Sequence, residues 1–155
     1  MQCLCATTRL AARAITRLYE GELRDAGLLA PQFWLLSVLN KRADANQRDL
    51  WESMATDQTT LSRNLAVVVR NGWVKSEATG RERRYKLTDA GRAKLAAGKP
   101  HWKRAQDKMR KALGADWESV WKTLSRVATA AEDLNEAPLK RKEVEHKWPA
   151  IFGLI

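Results

Sequence analysis

The sequence predicts a mainly α-helical chain with one small β-hairpin. Three observations support this. Apolar residues recur at helical spacing through most of the 155 residues. The period changes to strand-like alternation only around Trp73–Leu87. Glycine, proline and Asn/Asp breakers fall between the periodic stretches. Hydrophobic residues make up 45% of the chain, enough for a real core, and the length suits one domain.

Leu4–Ala26 reads as the first helix. Leu10, Ala11, Ala14, Ile15, Leu18 and Leu23 keep the period, and Gly27 stops it. Pro31 opens a second helix, PQFWLLSVLNKR, at a position where a missing N–H costs little. Phe33, Trp34, Leu35, Leu36, Val38 and Leu39 make that helix apolar nearly all round, which places it at the centre of the core. Asp44-Ala45-Asn46 breaks the pattern and supplies a cap. Gln47–Met54 is a short third helix, with Leu50, Trp51 and Met54 as its expected buried side. Ala55-Thr56 is the turn out of it.

Asp57–Trp73 organises the rest. Asp57 can accept from the free N–H groups of the first turn. Leu61, Leu65, Val68 and Val69 form one apolar stripe, and Thr59, Thr60, Arg63 and Arg70 fall on the far side. Asn71-Gly72 ends the helix. Residues 73–77 and 83–87 then alternate as two strands, with 78–82 as the turn between them. Thr88-Asp89-Ala90-Gly91 caps a long helix reaching about Leu113. Pro100 is expected to kink it and Gly98 to weaken it. After Gly114, Asp116–Asn135 is amphipathic through Trp117, Val120, Trp121, Leu124 and Val127. The tail from Pro138 is basic first and apolar last.

Charge points to a partner. There are 28 Lys+Arg against 18 Asp+Glu, a net charge of +10, and the pI is near 10.0. Such an excess suits a polyanion, either nucleic acid or an anionic membrane face. Two short helices joined by a tight turn, the second with a polar leading face, make a helix-turn-helix. The hairpin that follows makes a wing carrying Arg81, Arg83 and Arg84. Double-stranded DNA is therefore the expected partner. Gln58, Thr59, Thr60, Ser62 and Arg63 cluster where side chains reach base edges, and Arg63 is the candidate for a bidentate contact to guanine. Arg70 suits a phosphate. Arg81 and Arg83 suit the minor groove or its phosphates, while Arg84 alternates to the opposite face as a surface charge.

Other classes are disfavoured. There is no apolar run of about 18 residues to span a bilayer. Arg9 and Arg13 interrupt the N-terminal apolar residues, which argues against a signal peptide and for a cytoplasmic protein. Cys3 and Cys5 are too close to pair without strain and are expected as reduced thiols. No CxxC or Cys/His cluster suggests a metal, and no cofactor is expected. No nucleophile elbow, P-loop or H-E-x-x-H is present, and His101 and His146 lack a convincing carboxylate or nucleophile partner, so no enzyme is expected.

The block DQTTLSRNLAVVVRNGWV and the wing closing in RERRYKLTDAG resemble the MarR family of bacterial winged-helix regulators. The latter stretch is similar to that family's basic wing followed by L-T-x-x-G and a helix. The resemblance spans roughly residues 4–135. Thr79 stands near the place where the family's wing commonly carries an Asp. The resemblance implies a transcriptional repressor acting as an obligate homodimer on a pseudo-palindromic operator. Residues 31–90 would form a winged helix-turn-helix lobe, and residues 1–27 and 91–155 a helical dimerisation region. The surplus of Leu and Trp in the outer helices agrees with a second copy.

The resemblance also implies a signal. Leu4–Tyr19 is similar to the first helix of the organic-hydroperoxide-sensing branch, where Cys5 matches the oxidised thiol and Tyr19 one of the tyrosines that bond it. Arg9 stands where the other tyrosine would be. A pocket for a small aromatic acid, lined by Arg13, Tyr19 and Trp34, is the second reading. Plainer readings stand beside both: Cys5 as a small hydrophobe in a dimer core, and the seven tryptophans as core. A basic membrane-surface protein using the tail KRKEVEHKWPAIFGLI, or a non-catalytic winged-helix interaction module, are the alternatives to DNA binding.

Overall fold

A computed structural model describes residues 2–42, 44–54 and 56–135. The tail from residue 138, with His146 and Trp148, lies outside the described residues. The helices are α1 (Leu4–Leu23), α2 (Ala30–Lys41), α3 (Gln47–Met54), α4 (Gln58–Arg70), α5 (Asp89–Leu113) and α6 (Trp117–Asn135). The strands are β1 (Ala45–Asn46), β2 (Val74–Thr79) and β3 (Glu82–Leu87), in the antiparallel order β1-β3-β2. The chain divides into two compact units after Asp107.

The first unit is built on α2. Its Phe33, Leu35, Leu36, Val38 and Leu39 are all buried, as the unbroken apolar run predicts. The Gln32 carboxamide accepts from the Leu29 N–H at 3.1 Å and so satisfies one free donor at the helix start. Around α2 pack Leu23 and Leu28 from the end of α1, Leu50 and Met54 from α3, Leu61, Leu65 and Val68 from α4, and Leu95 from α5. Phe33 stacks on Trp102 of α5 with ring centroids 6.1 Å apart.

Four expectations need correction. The wing has three strands, not two: Ala45 pairs with Tyr85 and Asn46 with Arg84. Two residues are too few to show alternation in a sequence. The wing turn is Gly80-Arg81 alone, since Thr79 already pairs with Glu82. Gly80, at φ +63, adopts the left-handed conformation that so short a loop demands. Trp51 is 42% exposed rather than buried, because Leu50, Ser53 and Met54 occupy the inner face of α3 and Trp51 is turned about 100° from Leu50. Gly98 is a close-packing position rather than a weak point. A Cβ there would sit 2.8 Å from Leu28 Cδ1 and 2.9 Å from Phe33 Cδ2. Helix α5 continues through Pro100.

Most of α1 before Tyr19 lies exposed, including Leu4 at 65% and Leu10 at 67%. In the second unit Trp117 meets Trp121 edge-on at 5.9 Å, with Arg110 above the Trp117 ring. None of the described side chains of α6 is buried.

Candidate nucleic-acid interface

Helix α4 begins on the cap its sequence predicts. The Asp57 carboxylate accepts from the Thr60 N–H at 2.8 Å and from the Thr60 hydroxyl at 2.6 Å. These bonds, the hydroxyl's first, hold the Asp57 carboxyl below its ordinary range. Leu61, Leu65 and Val68 point inward, and Val69 is half-buried. Thr59, Arg63, Ala66 and Arg70 recur every three or four residues on the outside and are all exposed. The 13-residue helix is about 20 Å long, and the DNA major groove is about 12 Å wide.

The predicted reading residues differ in what their side chains already do. Gln58, Thr59 and Arg63 are exposed at the leading end. The half-buried Thr60 uses its hydroxyl in the cap. Ser62 is exposed and accepts from the Gln47 carboxamide of α3 at 2.9 Å. Gln47 stands out only in three dimensions, because 15 residues separate it from Ser62.

The far end of α4 is tied down by backbone. The Gly72 N–H reaches the Val69 carbonyl at 2.9 Å and the Trp73 N–H the Val68 carbonyl at 3.0 Å, which is a Schellman closure. The Thr88 hydroxyl lies 2.7 Å from the Gly72 carbonyl and 3.0 Å from that of Trp73, and it accepts from the Gly91 N–H at 3.0 Å. A Cβ on Gly91 would fall 2.0 Å from the Trp73 carbonyl oxygen. The stretch Leu87-Thr88-Asp89-Ala90-Gly91 thus does more than start α5. It clamps that helix to the end of α4. Lys94 of α5 sits over the Trp73 ring, 4.9 Å from its centroid.

On the wing, Arg81 is exposed at the tip and Arg83 is exposed beside it, donating to the Ser76 hydroxyl at 3.2 Å. Arg84 is not a plain surface charge. Its guanidinium bonds the Asp44 carboxylate at 2.6 Å, both side chains only about a third exposed, and so braces β3 against the segment leading into β1. Lys75 and Lys86 both meet Glu77, at 2.5 and 3.6 Å. The Lys75 bond is the larger cause holding the Glu77 carboxyl low, and Glu77 in turn raises the Lys75 ammonium. Both lysines on this face of the wing therefore share one carboxylate. Arg63, Arg70, Arg81 and Arg83 have no ion pair among the described residues.

The proposed sensor residues are dispersed. Cys3 and Cys5 are free and exposed. Tyr19 is half-buried, and burial pushes its phenol up. Fourteen residues of one helix separate it from Cys5, about 21 Å, so a single chain does not bring the two together. Arg13 is exposed on α1, and Trp34 is half-buried against the core of the first unit. His101 is not simply solvated. It is half-buried, with Nδ1 2.9 Å from the Glu22 carbonyl and 2.5 Å from an Arg104 nitrogen. Among the described residues no Cys, His, Asp and Glu group is arranged to hold a metal, and no helix is long and apolar enough to cross a membrane.

Two capped helices meeting at a tight turn, followed by an arginine-tipped three-stranded wing, define a winged-helix protein. No family model and no curated protein matches the sequence. Solved structures do. The M. tuberculosis transcriptional regulator MosR is 35% identical, with a TM-score of 0.79, over 85% of this chain and 97% of its own. MosR in complex with DNA matches at 35% identity and a TM-score of 0.78, over 86% and 98% of the two chains. BpsR of Bordetella bronchiseptica, whose DNA binding is regulated by 6-hydroxynicotinic acid, shares the fold at 19% identity, with a TM-score of 0.74 over 83% and 95%. The chain belongs to the MarR family of winged-helix transcriptional regulators, which is not a family of enzymes.

Proposed function

We propose that this protein is a sequence-specific double-stranded DNA-binding repressor that acts as a homodimer on a pseudo-palindromic operator. The carrying observation is the contrast in charge within one lobe. The wing's Lys75, Lys86 and Arg84 are paired with carboxylates, whereas Arg63, Arg70, Arg81 and Arg83 stand exposed without one. Unpaired arginines at a helix face and at a wing tip suit phosphates and base edges. The likeness to MosR, solved with DNA, supports the same reading.

In this reading residues 31–90 are the DNA-binding lobe, and 1–27 with 91–155 form the dimerisation region. Gln58, Thr59 and Arg63 meet base edges, with Arg63 opposite guanine. Arg70 meets phosphate, and Arg81 and Arg83 enter the minor groove. Thr60 contributes by holding the helix start. The exposed Leu4 and Leu10 of α1 and the half-buried and exposed apolar residues of α6 are the surface a second copy would cover. Release follows a small aromatic ligand near Arg13, Tyr19 and Trp34, or oxidation at Cys5 by an organic hydroperoxide. Because Cys5 and Tyr19 are far apart in one chain, a pairing between them needs the second copy.

Binding to duplexes drawn from a random pool, with and without an aromatic acid or an organic hydroperoxide, tests this. Recovery of one symmetric site, lost with one of the two effectors, is expected. Salt-independent or sequence-blind binding would count against it.

A further inference from the structure

Several helical serines and threonines of this chain turn their hydroxyls back on their own backbone. Ser37 donates to the Phe33 carbonyl and Ser53 to the Asp49 carbonyl, each at 2.8 Å; Thr7 and Thr8 do the same at 3.0 and 2.9 Å. This is the usual resting place for such a hydroxyl in a helix. Ser62 makes no such bond, and among the described helical hydroxyls it is the one that accepts from a side chain of another helix. Its oxygen accepts from Gln47 Nε2 at 2.9 Å, and its hydrogen has no acceptor among the described residues.

Gln47 is itself held. It is the first residue of α3, directly after Asn46. The Asn46 carboxamide oxygen accepts from the Asp49 N–H at 2.8 Å, and the Asp49 carboxylate accepts from the Asn46 N–H at 3.0 Å. That reciprocal pair fixes the start of α3. Asn46 also pairs with Arg84 in the sheet and donates from its side chain to Glu82 at 3.3 Å. A polar chain therefore runs from the wing through Asn46 and Gln47 to the outer face of α4.

A serine hydroxyl has one hydrogen and two lone pairs. With one lone pair engaged by Gln47 and the helix carbonyl not used, the hydrogen is left for a group outside the protein. Both side chains are exposed, so this single bond adds little to stability. Its consequence is directional.

We propose that Gln47 is a positioning residue that fixes the Ser62 hydroxyl as a hydrogen-bond donor to an acceptor on the bound duplex. The inference rests on the DNA-binding reading above. It adds a residue of α3 to the interface and gives Ser62 a polarity. The acceptor is a phosphate oxygen or the edge of a base, and the two have the same hydrogen-bond chemistry.

The test uses the full chain and a duplex that the wild-type protein recovers from a random pool. Affinities are measured for wild type, Ser62→Ala, Gln47→Ala and the double variant, with thermal unfolding of each. Ser62 is exposed and alanine favours helix, so Ser62→Ala should fold as the wild type does. Each single change should weaken binding about three- to tenfold, the loss of one hydrogen bond. The double variant should bind no more weakly than Ser62→Ala, with unfolding unchanged. Wild-type affinity for either single variant overturns the proposal. So do effects that multiply, since Gln47 would then act independently of Ser62. Single methylphosphonate or base-analogue substitutions in the duplex locate the acceptor: whichever erases the Ser62→Ala effect names it, and no such position overturns the donor role. If the wild-type protein recovers no duplex, the DNA-binding reading itself fails.

Discussion

Asp57 caps α4 and Arg63 lies six residues further on, and the two carry separate expectations. Arg63 is exposed, has no ion pair among the described residues and lies in the leading half of α4. Arg63→Ala should cost about 1–3 kcal/mol of DNA affinity and relax preference at one base pair. Arg70→Ala should weaken binding evenly across sequences and lower the salt slope by about 1. Binding of both variants to a library of single-base operator changes separates the two outcomes. Asp57 acts on folding. Its carboxyl lies below its ordinary range in the folded state, so its contribution is present above that range and is lost as pH falls through the folded value. Asp57→Ala should therefore unfold at a lower temperature than wild type at neutral pH, with the gap closing in acid. Asp57→Asn should stay near wild type at neutral pH, because asparagine caps as well as aspartate. The cap was legible because its partners are three residues away. The Arg84–Asp44 brace was not, since its two halves lie 40 residues apart.

Elements owe their positions to a few close approaches. The six α-helices among the described residues follow from apolar period and breakers, because those signals are local. Strand β1 did not, since two residues acquire strand geometry only by pairing with β3. The stretch Thr88–Gly91 was readable as a helix start, but the reason for glycine at 91 is the Trp73 carbonyl beside it. Gly91→Ala should destabilise the protein by about 1–3 kcal/mol, since backbone rather than a flexible side chain must move. Gly98→Ala, which meets the side chains of Leu28 and Phe33, should cost less. Urea unfolding of the two variants measures both. Because Gly91 abuts the residue that closes α4, its alanine variant should also weaken DNA binding in conditions where it remains folded.

Among the described residues, helices α1 and α6 each leave a large apolar side chain open. Leu10 on α1 is 67% exposed and Leu124 on α6 is 46% exposed. A second copy is the proposed cover. Leu10→Asp should shift sedimentation from dimer to monomer and reduce operator affinity, since each monomer holds only one half-site. A variant that stays dimeric would show that the α1 surface lies elsewhere in the assembly. The net charge of +10 told of a polyanion from composition alone, but not which side chains face it. The pairing of the wing's other charges, a property of the fold, is what supports the proposed choice among them. The most direct test of DNA reading by this protein is affinity for a selected duplex as a function of salt. A homodimeric winged helix on DNA should select a site of two inverted half-sites about one helical turn apart, with affinity falling steeply as salt rises and less steeply for Arg70→Ala. Failure of the protein to enrich any sequence, with the same weak affinity for every duplex, would contradict it.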